Sequence, residues 1–321
     1  MADIKRDGGG AIESVSFVDE PFDRPSTEMA INALRDLPGL KRVRIGKGLE
    51  LQDEDFVVLG SLTQLEHLDL RACSVNDQRL DALAELGKLK ALRMNGRDGK
   101  SSIGSVGAEA IGKLRSLKVL AVDLIPLGDQ GFVELSSLEN LVELYAEAVG
   151  ITDESASVVG GFQSLKKLRL SANRLTSESL DRWQSLSQLV DINLSGCASL
   201  DSSALPKLAV FKNLSKLNLY ATSVGDDSWE SLADLNSLVW LNVDKTPVSD
   251  AALTGIGRLK GLTFLHLGST QISDAGLPVL ASLNNLEQLI VTRTSVTSGG
   301  VEMLQEKLPG TKIQLEYVPP K

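Results

Sequence analysis

Leucines recur along this chain at a step of two dozen residues, and no other feature constrains its fold as strongly. Aligned on Leu62, Leu86, Leu114, Leu138, Phe162, Leu186, Phe211, Leu235, Leu259 and Leu283, the steps are 24, 28, 24, 24, 24, 25, 24, 24 and 24 residues. Leu37 extends the series backward by 25 and Leu308 forward by 25, so eleven units run from 37 to 307. A unit this short cannot bury an apolar face alone, whereas stacked units share a continuous core; self-similarity at this period reads as a solenoid.

Two rhythms alternate inside the unit. The third residue after the anchor is leucine in every unit, from Leu40 to Leu286; the sixth is Leu, Ile or Val, and the eighth is again apolar, from Ile45 through Leu170 to Val291, with Ala146 its smallest member. That spacing of two places a short strand there with one face buried. The second half of the unit, as in Ile272-Ser273-Asp274-Ala275-Gly276-Leu277-Pro278-Val279-Leu280, spaces its apolar residues three and four apart, which is helical. Ahead of the helix one column reads Asp53, Asp77, Ser105, Asp129, Asp153, Ser177, Ser202, Asp226, Asp250, Asp274, Ser298. Both residue types accept hydrogen bonds from the free N–H groups of a helix start, so this column is expected to cap the helices, within one residue.

The unit L-x-x-L-x-x-L-x-L-x-x-T-x-V-x-D-x-x-L-x-x-L-x-x resembles a leucine-rich repeat. Its turn, as in Thr270 to Leu277, is similar to the 24-residue repeats of bacterial proteins, those abundant in planctomycetes above all, and to the cysteine-containing repeats attached to F-box proteins. The resemblance covers roughly residues 10 to 318. It implies an α/β fold: a right-handed horseshoe with a parallel sheet on the concave face and short helices on the convex face. For function it implies protein–protein interaction. The family places Asn or Cys at the turn after the strand; here that column holds Cys73, Asn173, Cys197, Thr222, Thr246, Thr270 and Thr294, expected to hydrogen-bond neighbouring turns, with an irregularity where Arg97 and Ile125 fall.

Raw solenoid ends need caps. Residues 1–36 are expected to form an N-terminal cap with a degenerate first repeat, using Ile12, Val15 and Phe17 as a strand and Met29, Ile31 and Leu34 on a helix. Residues 308–321 are expected to close the other end with a strand through Ile313 and Leu315, followed by Pro319 and Pro320, which discourage edge pairing. The four-residue insertion within 95–102 reads as a tolerated surface loop, or alternatively as a contact loop.

Composition narrows the function. A formal net charge of −9 argues against general nucleic-acid or anionic-membrane binding. No run of about 18 apolar residues exists to span a bilayer. The start, MADIKRDGGG, lacks the apolar core of a secretory signal, and two cysteines are few, so a reducing, cytoplasmic setting is expected. There is no P-loop, no H-E-x-x-H and no nucleophile elbow. His67 and His266 stand eight units apart, roughly 35–40 Å at strand spacing, and share no site. Cys73 and Cys197 stand five units apart, about 24 Å, too far for a disulfide, and are expected to be buried thiols. No enzyme, cofactor, metal or small-molecule substrate is expected.

A partner then meets positions five, seven and nine of each unit, which do not serve the core. They form three zones. The first is basic: Arg42, Arg44, Arg71 and Arg93, with Asp69 among them. The second is acidic: Asp123, Glu143 and Glu147 around Tyr145. The third is aromatic: Trp240 and Phe264 on adjacent strands, with His266, Tyr220 and the row Asn193, Asn218, Asn242 beside them. Trp183 and Trp229 fall on helix columns and should be core. An exposed Trp beside a Phe has the composition of an interface hot spot. The expected partner-binding set is therefore Trp240, Phe264, His266, Tyr220, Asn242, Asn218, Asn193 and Tyr145, gripping a protein. A regulatory or substrate-receptor subunit and a glycan binder are the alternatives.

Overall fold

The computed structural model describes residues 2–97 and 99–317. The chain divides into two compact units, residues 1–151 with 161–165 and residues 152–160 with 166–321. In the first unit, β1 (Ala2–Arg6), β2 (Ile12–Phe17), β3 (Arg42–Arg44), β4 (His67–Asp69), β5 (Ala91–Asn95), β6 (Val119–Asp123) and β7 (Glu143–Tyr145) lie side by side in chain order. β1 and β2 are antiparallel, and the later neighbours are parallel. The second unit repeats the parallel arrangement with β8 (Lys167–Arg169), β9 (Asp191–Asn193), β10 (Lys216–Asn218), β11 (Trp240–Asn242), β12 (Phe264–His266), β13 (Gln288–Ile290) and β14 (Lys312–Gln314). Between successive parallel strands the chain passes through short α- or 3-10 segments such as Asp53–Ser61 and Asp250–Ile256.

The leucine columns are the core. Leu65, Leu68, Leu70, Leu217, Leu219, Leu241, Leu265 and Leu289 are fully buried. In β11 and β12 only the central residue is buried, with half-buried residues on either side of it. That alternation is what a one-sided parallel ladder with a covering helix layer produces. Trp183 and Trp229 are fully buried, as expected, and each indole N–H finds a carbonyl: Ala156 at 3.0 Å and Gly225 at 2.8 Å.

The helix caps stand one residue before the Asp/Ser column, within the expected tolerance, and the offset has a physical reason. Asn76, Thr152, Thr176, Ser249 and Thr297 accept from N–H groups two or three residues on. The aspartates instead reach the following repeat. Asp250 accepts the Ser273 N–H at 2.8 Å and its hydroxyl at 2.6 Å; Asp226 does the same to Ser249, and Asp274 to Thr297. Each cap hydroxyl thus donates to one repeat and accepts within its own. In the Asp250 and Asp274 pairs a glycine three places after the cap makes room for the carboxylate: a Cβ on Gly276 would stand 2.3 Å from Asp250 Oδ1.

The polar turn column is also corrected in part. Thr222, Thr246, Thr270 and Thr294 donate to the carbonyl three residues back in their own turn, at 2.6–2.8 Å. Cys197 donates to the preceding repeat, its thiol 3.3 Å from the Leu170 carbonyl. Where counting put Arg97, the insertion delivers buried Ser101, whose hydroxyl accepts the Val75 N–H at 3.2 Å; Arg97 itself is exposed. Both cysteines are buried thiols outside any disulfide, as expected, and burial pushes the Cys197 thiol up to about 11.

At the N-terminus, the strand through Ile12, Val15 and Phe17 forms as β2, and the helix Arg24–Asn32 follows. Ile31 and Leu34 are buried, but Met29 is exposed, so it does not serve the core. β1 was not foreseen: it covers the edge of β2, with a register shift between Lys5 and Arg6. The last strand, β14, contains Ile313 as expected, while Pro319 and Pro320 lie outside the described residues.

Candidate partner-binding face

The sheet register of the second unit assembles most of the expected residues on one open face. Lys216, Trp240, Phe264 and Gln288 form one cross-strand row; Asn193, Asn218, Asn242, His266 and Ile290 form the next. The Trp240 and Phe264 rings stack with centroids 5.0 Å apart and planes 4° from parallel. His266 tilts against Phe264 at 6.4 Å and 45°. All three are half-buried. The aromatic residues stand on the strand face because their odd positions point away from the leucines, and parallel pairing brings them to the same height on adjacent strands.

The asparagine row has a second use that the sequence alone does not reveal. Asn193, Asn218 and Asn242 each accept, through Oδ1, the N–H two residues on: Ser195 at 3.0 Å, Tyr220 at 3.1 Å and Asp244 at 2.9 Å. These turns cap the strands, so the carbonyl half of each amide is occupied and the NH2 half is left to donate. His266 continues the pattern, its Nδ1 accepting the Gly268 N–H at 3.2 Å. Burial holds the His266 imidazole below its ordinary value, opposed by the Asp244 carboxylate. At neutral pH it therefore presents Nε2–H.

At Gly268 an added side chain would crowd its neighbours. A Cβ there would lie 2.7 Å from His266 Cε1, 3.0 Å from Thr292 Oγ1 and 3.1 Å from Asp244 Oδ1. Asp244 Oδ1 is buried without a hydrogen-bond partner among the described residues. Tyr220 is less free than expected: the Lys245 ammonium donates to its hydroxyl at 2.7 Å, and this bond raises the lysine above its usual value. Lys245 and Asp244 were not singled out in sequence, because nothing in their spacing separates them from ordinary turn charges. Tyr145 belongs to the first unit, where its hydroxyl donates to Glu143 at 2.8 Å.

In the basic zone, Arg71 is spent on Asp69 through a two-pronged bond at 2.9 and 2.6 Å, which holds Asp69 below the usual carboxylate range against the effect of its burial. Arg42 and Arg44 remain about half exposed. Among the described residues no group of three or more His, Cys, Asp or Glu side chains could hold a metal ion, and no helix is long and apolar enough to cross a membrane.

No family model matches the chain. A Trypanosoma equiperdum protein, provisionally named an adenylate cyclase regulatory protein, is 26% identical over 229 residues, which is 64% of this chain. The chain spans only 34% of the length of that relative. Among solved structures, an internalin from Listeria monocytogenes aligns with a TM-score of 0.68 at 18% identity, over 96% of this chain and 87% of that one. A chain of the mouse RP105/MD-1 complex aligns at 0.65 and 21%, over 94% and 50%. A leucine-rich-repeat protein of Leptospira interrogans aligns at 0.53 and 18%, over 94% and 90%. Anchored on the buried leucine columns, the one-sided ladder and these shared folds, the chain is a leucine-rich-repeat protein by fold.

Proposed function

We propose that the chain is a non-catalytic protein-interaction module, and that the strand face of its second unit takes a polypeptide partner around the Trp240–Phe264 stack. The observation that carries this reading is the stack itself. Two large rings lie face to face on an open sheet, half-buried, at positions the core does not use. A partner that covers them completes a burial the chain alone leaves unfinished. The free NH2 groups of Asn218 and Asn242 flank the stack and suit the carbonyl acceptors of a polypeptide. The RP105/MD-1 complex, a structural neighbour, is itself a protein–protein assembly.

A regulatory subunit is the second reading, favoured by the name of the trypanosome relative. It uses the same face and differs in what the partner does. A glycan binder is less well supported, because each ring gives one face to the other instead of offering it to a sugar.

Affinity capture on the full chain tests the reading. Truncating each hot-spot ring costs about 2 kcal/mol, about thirtyfold in Kd. A protein retained by the wild type and lost from Trp240→Ala/Phe264→Ala is the expected result. Equal retention by both, or a glycan-array hit that the double variant abolishes while no protein depends on the stack, overturns it.

A further inference from the structure

The strand face of the first unit holds an open recess of about 380 Å3. Register places its polar groups in two rows. Ser14, Arg42, His67 and Ala91 share one; Ser16, Arg44, Asp69 and Arg93 share the next. Ala91, next to His67 in its row, carries only a methyl and is fully buried, and the row continues to Val119 on β6. β1, the strand not foreseen in sequence, adds Lys5 and Asp3 to the rim.

The charges around the recess do not balance. Arg71 takes Asp69. Glu13 is shared between Lys41 at 3.7 Å and Arg42 at 3.2 Å, and Arg44 reaches Asp19 only at 3.9 Å. Arg93, half-buried, lines the recess without an ion pair or side-chain hydrogen bond among the described residues. Positive charge is thus concentrated on one patch of a chain whose formal net charge is −9. A long polyanion, a nucleic acid or a charged membrane, meets the repulsion of the whole chain. A short acidic segment meets only what lies within about 8 Å, the screening length at physiological salt.

We propose that this recess docks an acidic segment of a polypeptide partner, with Arg42 and Arg93 taking its carboxylates on either side of His67 and the Ser14 and Ser16 hydroxyls donating beside them. A planar guanidinium pairs with a carboxylate through two parallel bonds, and two of them on strands flanking one residue fix the segment across the sheet. The assignment stands apart from the aromatic stack of the second unit.

His67 reports occupancy. Burial, then the Arg42 and Arg93 guanidiniums, hold its imidazole below the ordinary value; Lys90 adds to this and Glu66 opposes it. Lys5, Arg44, Asp3 and Asp69 line the same recess. A carboxylate brought between the arginines favours the imidazolium, so binding raises the His67 pKa. The chain contains only two histidines, so both titrations are separable by proton NMR on the full chain, with His266 as the internal reference.

The probe is a terminally blocked peptide rich in Asp and Glu. Its addition should raise the His67 pKa and leave that of His266 unchanged. Binding should weaken with salt, fall at least tenfold in Arg42→Gln/Arg93→Gln, fall less in Arg93→Gln alone, and persist in Trp240→Ala/Phe264→Ala. An Arg258→Gln variant, on an exposed residue of the second unit, controls for net charge. Four results overturn the proposal: an equal shift with a neutral peptide of the same length, unchanged affinity in Arg93→Gln, displacement by inorganic phosphate at lower concentration, or displacement by a single-stranded oligonucleotide at lower concentration.

Discussion

At Ala148, Ala172, Ala221, Lys245, Ser269 and Arg293 the backbone lies in the left-handed region, with φ between 51° and 57°. Gly196 holds the same place in its own repeat at φ 72°. The position recurs because the N–H there must turn toward the next strand's turn: Ala172 donates to Ser195 at 2.7 Å, Ala221 to Asp244 at 2.9 Å and Ser269 to Thr292 at 2.8 Å. A side chain in this region costs about 1–2 kcal/mol, and glycine removes that cost at the expense of about 0.5–1 kcal/mol of unfolded-state entropy. Ala172→Gly and Ala221→Gly are therefore each expected to raise stability by up to about 1 kcal/mol, read as a higher urea midpoint at unchanged slope. Gly196→Ala should lower it by a similar amount, since its Cβ meets nothing closer than 3.4 Å and only the dihedral is at stake. A loss of stability in both Ala172→Gly and Ala221→Gly would show that the turn is not strained. The sequence hides this column, because alanine, lysine, serine and arginine in it share no property; only the backbone unites them.

Between elements, the aspartate that opens one helix and the hydroxyl that caps the next form the most regular polar link in the second unit. Asp153 accepts from the Thr176 N–H, the Thr176 hydroxyl and the Ser179 hydroxyl. Burial alone would raise its carboxyl, but these bonds outweigh burial and hold it below the usual range. Asp274, bonded to the Thr297 N–H and hydroxyl, is lowered too. A carboxylate depressed in the folded state stabilises it fully above the unfolded value, about 3.9, and loses that contribution as pH falls through the lower folded value. Urea midpoints measured down the acid side should fall below about pH 4, and Asp153→Asn should flatten that fall while lowering stability at neutral pH. Removing the group in Asp153→Ala is expected to cost about 2 kcal/mol, the worth of hydrogen bonds to a charged acceptor. An unchanged acid slope in Asp153→Asn would assign the acid limb to other groups. The sequence displayed this column in full, yet its role was legible only in part: composition marks Asp and Ser as helix-start residues, but which neighbour a carboxylate reaches depends on how repeats stack, and that distance is not in the spacing.

Across the whole chain, what the sequence made legible is what depends on period alone. Columns of leucine identify the buried side, and odd positions identify the open face, so Trp240 and Phe264 could be placed beside one another before their stacking was known. Features that break the period were invisible or misplaced: β1, which has no repeat to match, and Ser101, which the insertion brings into the column where counting put Arg97. The same periodicity governs how the chain should fail. Within each unit, among the described residues, strands bond their neighbours in chain order and helix segments pack mainly on the next, so stability is expected to be a sum of local units and nearest-neighbour interfaces. Leu217, fully buried on β10 and paired in register with Ile192 and Leu241, tests this. Leu217→Ala should cost about 2–5 kcal/mol through lost burial and the cavity left behind. Hydrogen exchange should locate that cost: amides of β9, β10 and β11 exchange faster, β12 less so, and β3 to β5 of the first unit keep their protection. Uniform acceleration over all of these strands would mean that the chain opens as one cooperative block, and stacking would then have to couple repeats well beyond nearest neighbours.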